Sequence, residues 1–433
     1  MRDIAITLIV IYGCLSTLQR PYIGVLLWSW LGYMNPHRLS YGFAYSMPFA
    51  QITALVLMGT MVFSSQTKKL PINTLTVIWM LFVLFMGLTT LFAYFPDSAQ
   101  IQYVRVIKIQ LIVFITMMLI TDLTKLNHLI WVIVLSIGFY SVKGGFFTLM
   151  TGGSYRVWGP PESFIEGNNE LAVASLMVIP LMAYLYQVYP QWWLKKGLLV
   201  AMPLSFLAAI GTQSRGALIA FAAVAVFFWL KSKKKLALGL AMVLLSLGIV
   251  AFMPASWHER MDTIKTYEED GSAMGRLNAW EYAINAASDN LLGVGFDAWD
   301  PLTFALYAPN PKDIHVAHSI YFSVLADHGW IGLLLFLLVF YLAWKKLKTV
   351  IKKTNEKPEL KEINFLAKML QVSFIAYLVG GAFLSLSYFD LPWHLVSFVI
   401  ILETIMAKKL TTSDDGVFLN KQMPNQTRRN PTP

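Results

Sequence analysis

The feature that most constrains this chain is a succession of long apolar runs separated by short polar segments. Runs of about 17 to 25 apolar residues are long enough to cross a hydrocarbon core of roughly 30 Å. The runs are continuously apolar rather than alternating, which indicates helices and not strands. With 57% hydrophobic and 13% charged residues, the chain lies outside the range of ordinary soluble domains. We therefore predict an all-α polytopic membrane protein.

The apolar runs predict about 12 or 13 transmembrane helices. Their approximate spans are 4–18, 21–34, 47–64, 72–94, 99–121, 128–150, 168–189, 197–212, 214–230, 236–253, 319–343, 366–388 and 391–407. The count is ambiguous because the first two runs are short and because Asp390 and Pro392 interrupt the end of the series. We predict four regions: N-terminal transmembrane helices in 1–253, a periplasmic loop subdomain with short helices in 254–318, C-terminal transmembrane helices in 319–408, and a disordered cytoplasmic tail in 409–433.

Basic residues are concentrated in alternate loops and in the tail. Most of the 34 Lys and Arg residues fall in these segments, a pattern typical of the positive-inside rule. This pattern predicts that the lysine-rich loops are cytoplasmic and that segments 151–167 and 254–318 are external. The net charge of +10 then reflects membrane topology and contact with anionic lipids, and we expect membrane lipids rather than nucleic acid as partners.

The acidic segment 254–318 is the largest polar insert. Within it, Ser272 is a candidate cap for a helix through MGRLNAWEYAINAA, which would place Arg276 and Trp280 on one helix face at i, i+4 spacing. The following LLGVGFDAWDP is a loop punctuated by glycine. The insert ends in HVAHS, directly before a long apolar helix.

His318 is the candidate catalytic base. It lies close to the N-terminus of the predicted helix, where the helix dipole disfavours the imidazolium and so favours the neutral form that a general base requires. Ser319 and His315 are candidates for supporting it. An interfacial histidine bonded to loop carbonyls is the alternative interpretation.

Three arginines are candidates for binding a diphosphate. Arg215, in GTQSRGA, lies between two apolar runs, where a cation costs about 2.5 kcal/mol or more unless it has an anionic partner or a wet cavity. Arg276 and Arg156 lie in the external segments. A guanidinium presents a planar fork of donors that matches phosphate oxygens and remains charged at any accessible pH. The alternatives are that Arg215 extends to the external surface and that Arg156 stacks on Trp158.

We expect no cofactor and no metal. His315 and His318, with Asp313, look like a metal pair but lack a third strong ligand at recognisable spacing. The run Glu268-Glu269-Asp270 is more typical of a solvated acidic loop than of a Mg²⁺ site. Neither a GxGxxG fingerprint nor a Walker A sequence is present.

Several motifs, taken in order, resemble those of the O-antigen ligase and polymerase-like membrane proteins. They are GGSYRVWGPPESFIEGNNELA, GTQSRGA, ERMDTIKTYEEDGSAMGRLNAW and HVAHSIYFSVLADHGWIG. Together with RPYIGVLLWSWLGYMNPHRL, they make the chain similar to the O-glycosylation ligases associated with exosortase A systems.

The resemblance implies a metal-independent, inverting glycosyl transfer from an undecaprenyl-diphosphate-linked glycan. The acceptor would be a hydroxyl of a protein, lipid or glycan at the periplasmic face of the bacterial inner membrane. In family terms, His318-Ser319 match a periplasmic histidine at the start of a helix, and Arg215 and Arg276 match two essential arginines. Ser323 stands where an acidic residue is expected in close relatives.

Two alternatives stay open at this point. A lipid-linked glycan polymerase would use the same donor, with a second lipid-linked glycan as acceptor. A non-enzymatic polysaccharide transporter or flippase would also be polytopic, but the few charged residues of the spans and the absence of paired discontinuous helices argue against it. The charged residues concerned are Arg105, Lys108, Lys143, Glu170 and Glu403.

Overall fold

The computed structural model describes residues 1–64, 69–232, 234–262 and 271–422. In these ranges the chain forms helices and loops without a β-strand, so the predicted all-α polytopic class is confirmed. The α-helices are α1 (Arg2–Gln19), α2 (Tyr22–Met34), α3 (Phe49–Phe63), α4 (Thr74–Leu91), α5 (Pro96–Leu119), α6 (Leu123–Met150), α7 (Asn168–Val188), α8 (Trp192–Gly211), α9 (Arg215–Lys231), α10 (Lys235–Phe252), α11 (Ala255–Asp262), α12 (Gly271–Asp289), α13 (Pro301–Tyr307), α14 (Ile320–Thr354), α15 (Lys361–Gly380) and α16 (Asp390–Gln422).

Each of the predicted spans coincides with a helix, but fewer than 12 are long membrane spans. In the described part of the chain, 10 helices are long and apolar enough to cross a membrane. Helices α2, α3 and α9 have only 13, 15 and 17 residues. The apolar runs that predicted α2 and α3 include residues outside the helices, such as Pro21 and Pro48, which are the N-caps. The predicted bounds of both helices are nevertheless correct to within one or two residues, and the runs themselves are short.

Several helices begin at side chains that accept a hydrogen bond from the first turn. Asn73 accepts from Thr76 N at 3.1 Å, and Asp122 accepts from Lys125 N at 2.9 Å. Such caps satisfy backbone N–H groups that lack a partner within the helix. The caps explain why α4 and α6 start where the short polar segments end.

The centre of the bundle is an aromatic stack contributed by α4 and α16. Trp79 and Trp393 have ring centroids 5.5 Å apart, and Phe82 lies 5.8 Å from Trp393. The indole N–H of Trp79 donates to Gln110 Oε1 at 2.8 Å, which ties α5 to the same stack. In contrast to α4 and α16, helix α10 has no buried residue and packs against α9.

Polar contacts gather at two opposite ends of the bundle. At one end, Glu403 pairs with Lys346, and Glu362 accepts from Tyr184 OH at 2.8 Å. The lysine-rich segments lie at this end.

At the other end, the loops contact one another. Tyr94 N donates to Val294 O at 3.0 Å, and Val157 N donates to Gly211 O at 3.2 Å. The loop after α6, the turn before α9 and the insert 254–318 therefore share one end of the bundle.

The insert contains the short helices α11, α12 and α13, as predicted. Helix α12 covers the predicted segment, whereas the Ser272 side chain and the run Glu268-Glu269-Asp270 lie outside the described residues. Tyr282 of α12 stacks on Phe304 of α13 with ring centroids 4.4 Å apart. Its hydroxyl also donates to Ala298 O at 2.7 Å, so the short helices form a small core of their own.

Helix α14 is broken at Gly329, whose φ of 64° and ψ of −171° are not helical. The loop before α13 hydrogen-bonds to the interrupted turn: Val294 N donates to Ala326 O at 2.9 Å, and Gly295 N donates to Asp327 O at 3.1 Å. Broken helices are tolerated at membrane depth where other groups satisfy the freed backbone. The hydrogen bonds at this break therefore join the insert to the membrane helices.

The sequence predicts a disordered tail from residue 409, whereas α16 continues as helix to Gln422. Propagating an existing helix is easier than starting one, because only the first turn carries the nucleation cost. Residues 423–433 lie outside the described part of the chain.

We expect Gly293→Ala to destabilise the protein more than Gly152→Ala. Both glycines have positive φ, of 71° and 57°, which costs a residue with a side chain about 1–2 kcal/mol. A Cβ on Gly293 would also lie 2.5 Å from Gly329 N and 2.6 Å from Ala326 O, whereas nothing lies within 4 Å of one on Gly152. Crowding of this kind adds about 1–3 kcal/mol.

Thermal unfolding of the full chain in detergent measures the difference between these two variants. Equal melting temperatures of the two variants would show that a methyl group at residue 293 does not destabilise the contact between the insert and α14.

Candidate functional site

His318 joins the insert to α14 in a strained conformation. Its φ is 43°, in the left-handed region, which costs a non-glycine residue about 1–2 kcal/mol. The neighbouring backbone is held by Trp280 of α12, whose indole N–H donates to Ala317 O at 2.7 Å. The Trp280 ring stacks on Phe322 of α14 with centroids 4.8 Å apart and an interplanar angle of 12°. Strain that is held in this way is typical of functional sites.

The loop that precedes His318 is fixed to α12 by one asparagine. Asn278 Nδ2 donates to Asn310 O at 2.9 Å and to Asp313 O at 2.8 Å, and its Oδ1 accepts from Asn310 N at 2.9 Å. With the Trp280 contact, these bonds determine where residues 310–317 run. The position of His318 therefore depends on α12 as well as on α14.

The environment of His318 favours a neutral imidazole. Burial lowers the pKa of His318 below its ordinary value of 6.5, and the positive charges of Arg276 and His315 lower it further. Within the described structure, Nδ1 of the ring is buried without a hydrogen-bond partner. A half-buried, neutral imidazole next to a cation is suited to accepting a proton from a substrate.

Arg276 lies on α12, one turn before Trp280. Its positive charge is one of the causes that lower the pKa of His318. The structure therefore brings two of the predicted site residues, His318 and Arg276, into one electrostatic environment.

Arg215 is the first residue of α9 and follows Ser214, which caps the helix by accepting from Ala217 N. The next residue, Gly216, packs against Phe383, with 2.9 Å between an added Cβ and the Phe383 Cβ. Ile320 packs against Gly381 in the same short helical turn, Gly381–Phe383, with 2.6 Å to an added Cβ. Arg215 and His318 therefore both lie within two residues of a contact with this turn.

Arg156 is an exposed residue of the loop after α6. Its neighbour Val157 is bonded to Gly211, and Gln213 Nε2 donates to Gly153 O at 3.1 Å, so Arg156 lies beside the turn that leads into Arg215. Among the described residues, the arginine that lies over an aromatic ring is Arg38, over Tyr45, and the predicted alternative of Arg156 over Trp158 is not formed.

Ser319 and His315 flank His318 in different ways. Ser319 is buried, and its hydroxyl neither caps α14 nor has a hydrogen-bond partner among the described atoms. His315 is exposed, lies against Gly275, and its Nε2 is 2.8 Å from Asp313 Oδ1. In the described residues, no group of three or more His, Cys, Asp or Glu side chains is placed to hold a metal ion.

Sequence reasoning gave no role to the start of α7. Asn168 Nδ2 donates to Thr212 O at 2.8 Å, and the carboxylate of Glu170, noted only as a charged residue within a span, folds back against Gly167 at the start of its own helix. The available signal was an acidic residue in the first turn of a helix, directly after the GNN of the predicted loop.

A buried polar cluster at the break of α14 was also missed. Thr89 Oγ1 lies 2.7 Å from His328 Nδ1, and Tyr388 OH donates to Asp327 Oδ2 at 2.7 Å. The cluster surrounds the interrupted turn, and polar groups are buried at such depth only with partners. Its signal in the sequence was ADHG inside an apolar run.

Two family models match the chain. Residues 198–337 match the model described as O-Antigen ligase, and this region includes Arg215, Arg276 and His318. Residues 1–190 match a family of unknown function, DUF5935. No curated protein matches the chain.

The match supports a membrane glycan ligase or polymerase role for this all-helical chain. Residues 198–337 are thus similar to the O-antigen ligase family, in agreement with the resemblance that the motifs predicted. The exosortase-associated subtype stays a prediction.

We expect His318 to react with diethyl pyrocarbonate at lower pH than N-acetylhistidine, because only the neutral imidazole is acylated and its pKa is lowered. Removing a positive neighbour raises the pKa of a histidine. The reaction midpoint should therefore move upward in Arg276→Ala. Mass spectrometry of the peptide that contains His318 measures the midpoint.

The matched control is Arg38→Ala, which removes a cation at the same end of the bundle that pairs with Glu162. A midpoint that moves equally in both variants would contradict a specific influence of Arg276.

Proposed function

We propose that the chain is a glycosyl-transferring ligase that moves a glycan from an undecaprenyl-diphosphate carrier to an acceptor hydroxyl. The reaction takes place at the periplasmic face of the bacterial inner membrane. The observation that carries the proposal is the strained, half-buried His318 beside Arg276, inside the region that matches the O-antigen ligase model. The lysine-rich loops at the opposite end of the bundle support the external placement of this site.

His318 acts as the general base. It takes the proton of the acceptor hydroxyl while the hydroxyl oxygen attacks the anomeric carbon from the face opposite the diphosphate. A new glycosidic C–O bond forms, and the bond between the anomeric carbon and the diphosphate oxygen breaks, with its electron pair leaving on the diphosphate. The proton on His318 then passes to water, and the configuration at the anomeric carbon is inverted.

The arginines stabilise the leaving group. Arg276 and Arg215, with Arg156 at the edge of the site, supply guanidinium groups whose charge is fixed and whose donors match pairs of phosphate oxygens. Donors placed in advance at a developing charge lower the barrier without reorganisation during the reaction. In this proposal the arginines perform the charge neutralisation that a metal ion performs elsewhere.

The site lies where a lipid-linked substrate needs it. The polar insert meets the apolar helices at the start of α14, so a carrier tail can remain in the lipid while its diphosphate and glycan lie at the polar end. In the O-glycosylation subtype the acceptor hydroxyl belongs to a protein, and lipid and glycan hydroxyls are the other acceptors to be tested.

We expect His318→Ala to lower transfer roughly 10²–10⁴-fold, the usual contribution of general-base catalysis. Arg215→Lys and Arg276→Lys should also lose most activity, because an ammonium is a point charge that does not reproduce the bidentate fork. Transfer of labelled glycan by purified full chain measures these effects.

Arg38→Lys is the matched control, since Arg38 is an arginine at the same end of the bundle that pairs with Glu162 and has no role in the proposed transfer. If His318→Ala transferred glycan at the wild-type rate, His318 would not be the general base. Normal transfer by both lysine variants would show that Arg215 and Arg276 do not bind the diphosphate in the proposed bidentate way.

We expect the enzyme to leave donor chains unextended when donor is the only substrate. A ligase needs a distinct acceptor, whereas a polymerase lengthens lipid-linked chains by using a second donor as acceptor. Gel separation of the products formed in detergent, with and without acceptor, measures this difference. Longer lipid-linked chains from donor alone would favour the polymerase, and no chemistry under any condition would favour a flippase.

A further inference from the structure

The first part of α14, residues 320–328, lies between two residues with non-helical backbone. His318, with its φ of 43°, comes just before it, and Gly329, with its φ of 64°, separates it from the rest of the helix. A helical segment this short is not stable through its own hydrogen bonds. Its position, and with it the position of His318, therefore depends on the residues that pack against it.

The connection between α15 and α16, residues 381–389, contacts both ends of this segment. Ser387 Oγ donates to Ile320 O at 3.2 Å, and Tyr388 OH donates to Asp327 Oδ2 at 2.7 Å. Ile320 and Asp327 are about two helical turns apart. Two neighbouring residues of the connection thus hold the segment at its start and at its end.

The bond from Tyr388 is the harder of the two to replace. Tyr388 and Asp327 are both buried, and a buried carboxyl group is costly unless it is hydrogen-bonded. The Ile320 carbonyl, by contrast, can also accept from the backbone N–H four residues further along its own helix. The Tyr388 ring lies against Phe296 of the insert, with centroids 5.0 Å apart. Removing the Tyr388 hydroxyl therefore takes a hydrogen bond from Asp327 and releases the end of the segment.

The connection is itself held by both flanking helices. Tyr377 OH of α15 donates to Leu386 O at 3.1 Å, and the indole N–H of Trp393 of α16 donates to Ser387 O at 3.3 Å. Trp393 belongs to the aromatic stack at the centre of the bundle. The connection is therefore a fixed support for the segment that packs on it.

The same connection contacts the start of α9. Phe383 packs against Gly216, the residue that follows Arg215. The helices that begin at Arg215 and just after His318 thus meet on one support. How residues 320–328 lie on this support determines where His318 stands relative to Arg215.

We propose that Tyr388 is a positioning residue. Its hydroxyl, bonded to Asp327, fixes residues 320–328 on the connection and so places His318 relative to Arg215. The effect of Tyr388 on glycan transfer rests on the proposed function, whereas its effect on the position of His318 does not.

The experiment compares wild type and Tyr388→Phe as purified full chain. We expect kcat, referred to the folded fraction, to fall roughly 10- to 100-fold, since a misplacement of about 1 Å has an effect of this size. KM for the lipid-linked donor should change less than about twofold, because the arginines proposed to bind the diphosphate are retained.

Acylation of His318 by diethyl pyrocarbonate reports its position without any need for transfer. At about pH 8 a histidine of ordinary or lowered pKa is neutral, so the acylation rate depends on how exposed the ring is. We expect this rate to rise about threefold in Tyr388→Phe, because the half-buried imidazole is released. Mass spectrometry of the peptide that contains His318 measures the rate.

Variants at Asp327 separate the hydrogen bond from other effects. Asp327→Asn keeps an acceptor for the phenol hydroxyl and should lose much less transfer than Asp327→Leu, which removes the acceptor. Tyr388→Phe combined with Asp327→Leu should lose no more than the worse single variant, because both changes act through one bond. Equal losses in the Asn and Leu variants, or losses that multiply in the double variant, overturn the positioning role.

Tyr184→Phe is the matched control, since it removes another buried tyrosine hydroxyl, which donates to Glu362 Oε1 at 2.8 Å at the opposite end of the bundle. Its kcat and its acylation rate should equal those of the wild type. An unchanged or slower acylation of His318 in Tyr388→Phe, or the same change in both tyrosine variants, overturns the proposal.

If Tyr388→Phe does not fold, the hydroxyl is removed together with Asp327→Asn, because a neutral amide is less costly to bury without a partner than a carboxylate. An acylation rate equal to that of Asp327→Asn alone then overturns the positioning role, and a faster rate supports it.

The two measurements separate this inference from the proposed function. If the wild type transfers no glycan under any condition, the proposed function fails, and the acylation rate of His318 still decides the positioning role. If the wild type is active and Tyr388→Phe keeps the wild-type kcat and acylation rate, the positioning role alone fails.

Discussion

The backbone hydrogen bonds between the insert and the broken turn of α14 are the constraint on which the rest of the structure depends. Val294 and Gly295 supply N–H groups to two carbonyls that the break leaves without helical partners. An apolar bundle cannot leave such groups unsatisfied, since each costs several kcal/mol in hydrocarbon, on the order of a lost hydrogen bond or more. The polar insert is consequently not a loose appendage. These bonds hold its helices in a fixed position relative to α14, so residues that are far apart in the chain lie together at one end of the bundle.

This fixed position explains how the site can contain energetically unfavourable features. His318 has an unfavourable backbone conformation, and a half-buried arginine lies beside it. Neither would persist on a free loop. Trp280 and Asn278 fix the loop from α12, and Asn168 of α7 holds the turn that leads into Arg215. The stability of the surrounding helices thus maintains a geometry that is suited to stabilising charge in a transition state. Preorganised sites in general depend on such support.

The sequence predicts the fold well because length and hydropathy determine membrane helices almost alone. Every predicted span coincides with a helix, and Pro21 and Pro48, as N-caps, set where the two short helices α2 and α3 begin. His318 and Arg276 could be singled out because a histidine before a long apolar helix and an arginine on a short external helix are visible as patterns. The bond from Asn168 to Thr212 O could not be predicted in this way, because its two ends lie far apart in the chain. The break at Gly329 was hidden for the same reason, because the groups that complete it come from another segment.

Helix α10 differs from its neighbours in having no buried residue. A side chain on the part of α10 that does not contact α9 meets no fixed cavity, so its volume and branching matter little. Exchanges among Leu, Ile, Val and Met along this helix leave no void and force no rotamer, provided that total hydropathy is kept. On this part of the helix, the bilayer rather than the protein therefore limits which apolar residues are tolerated.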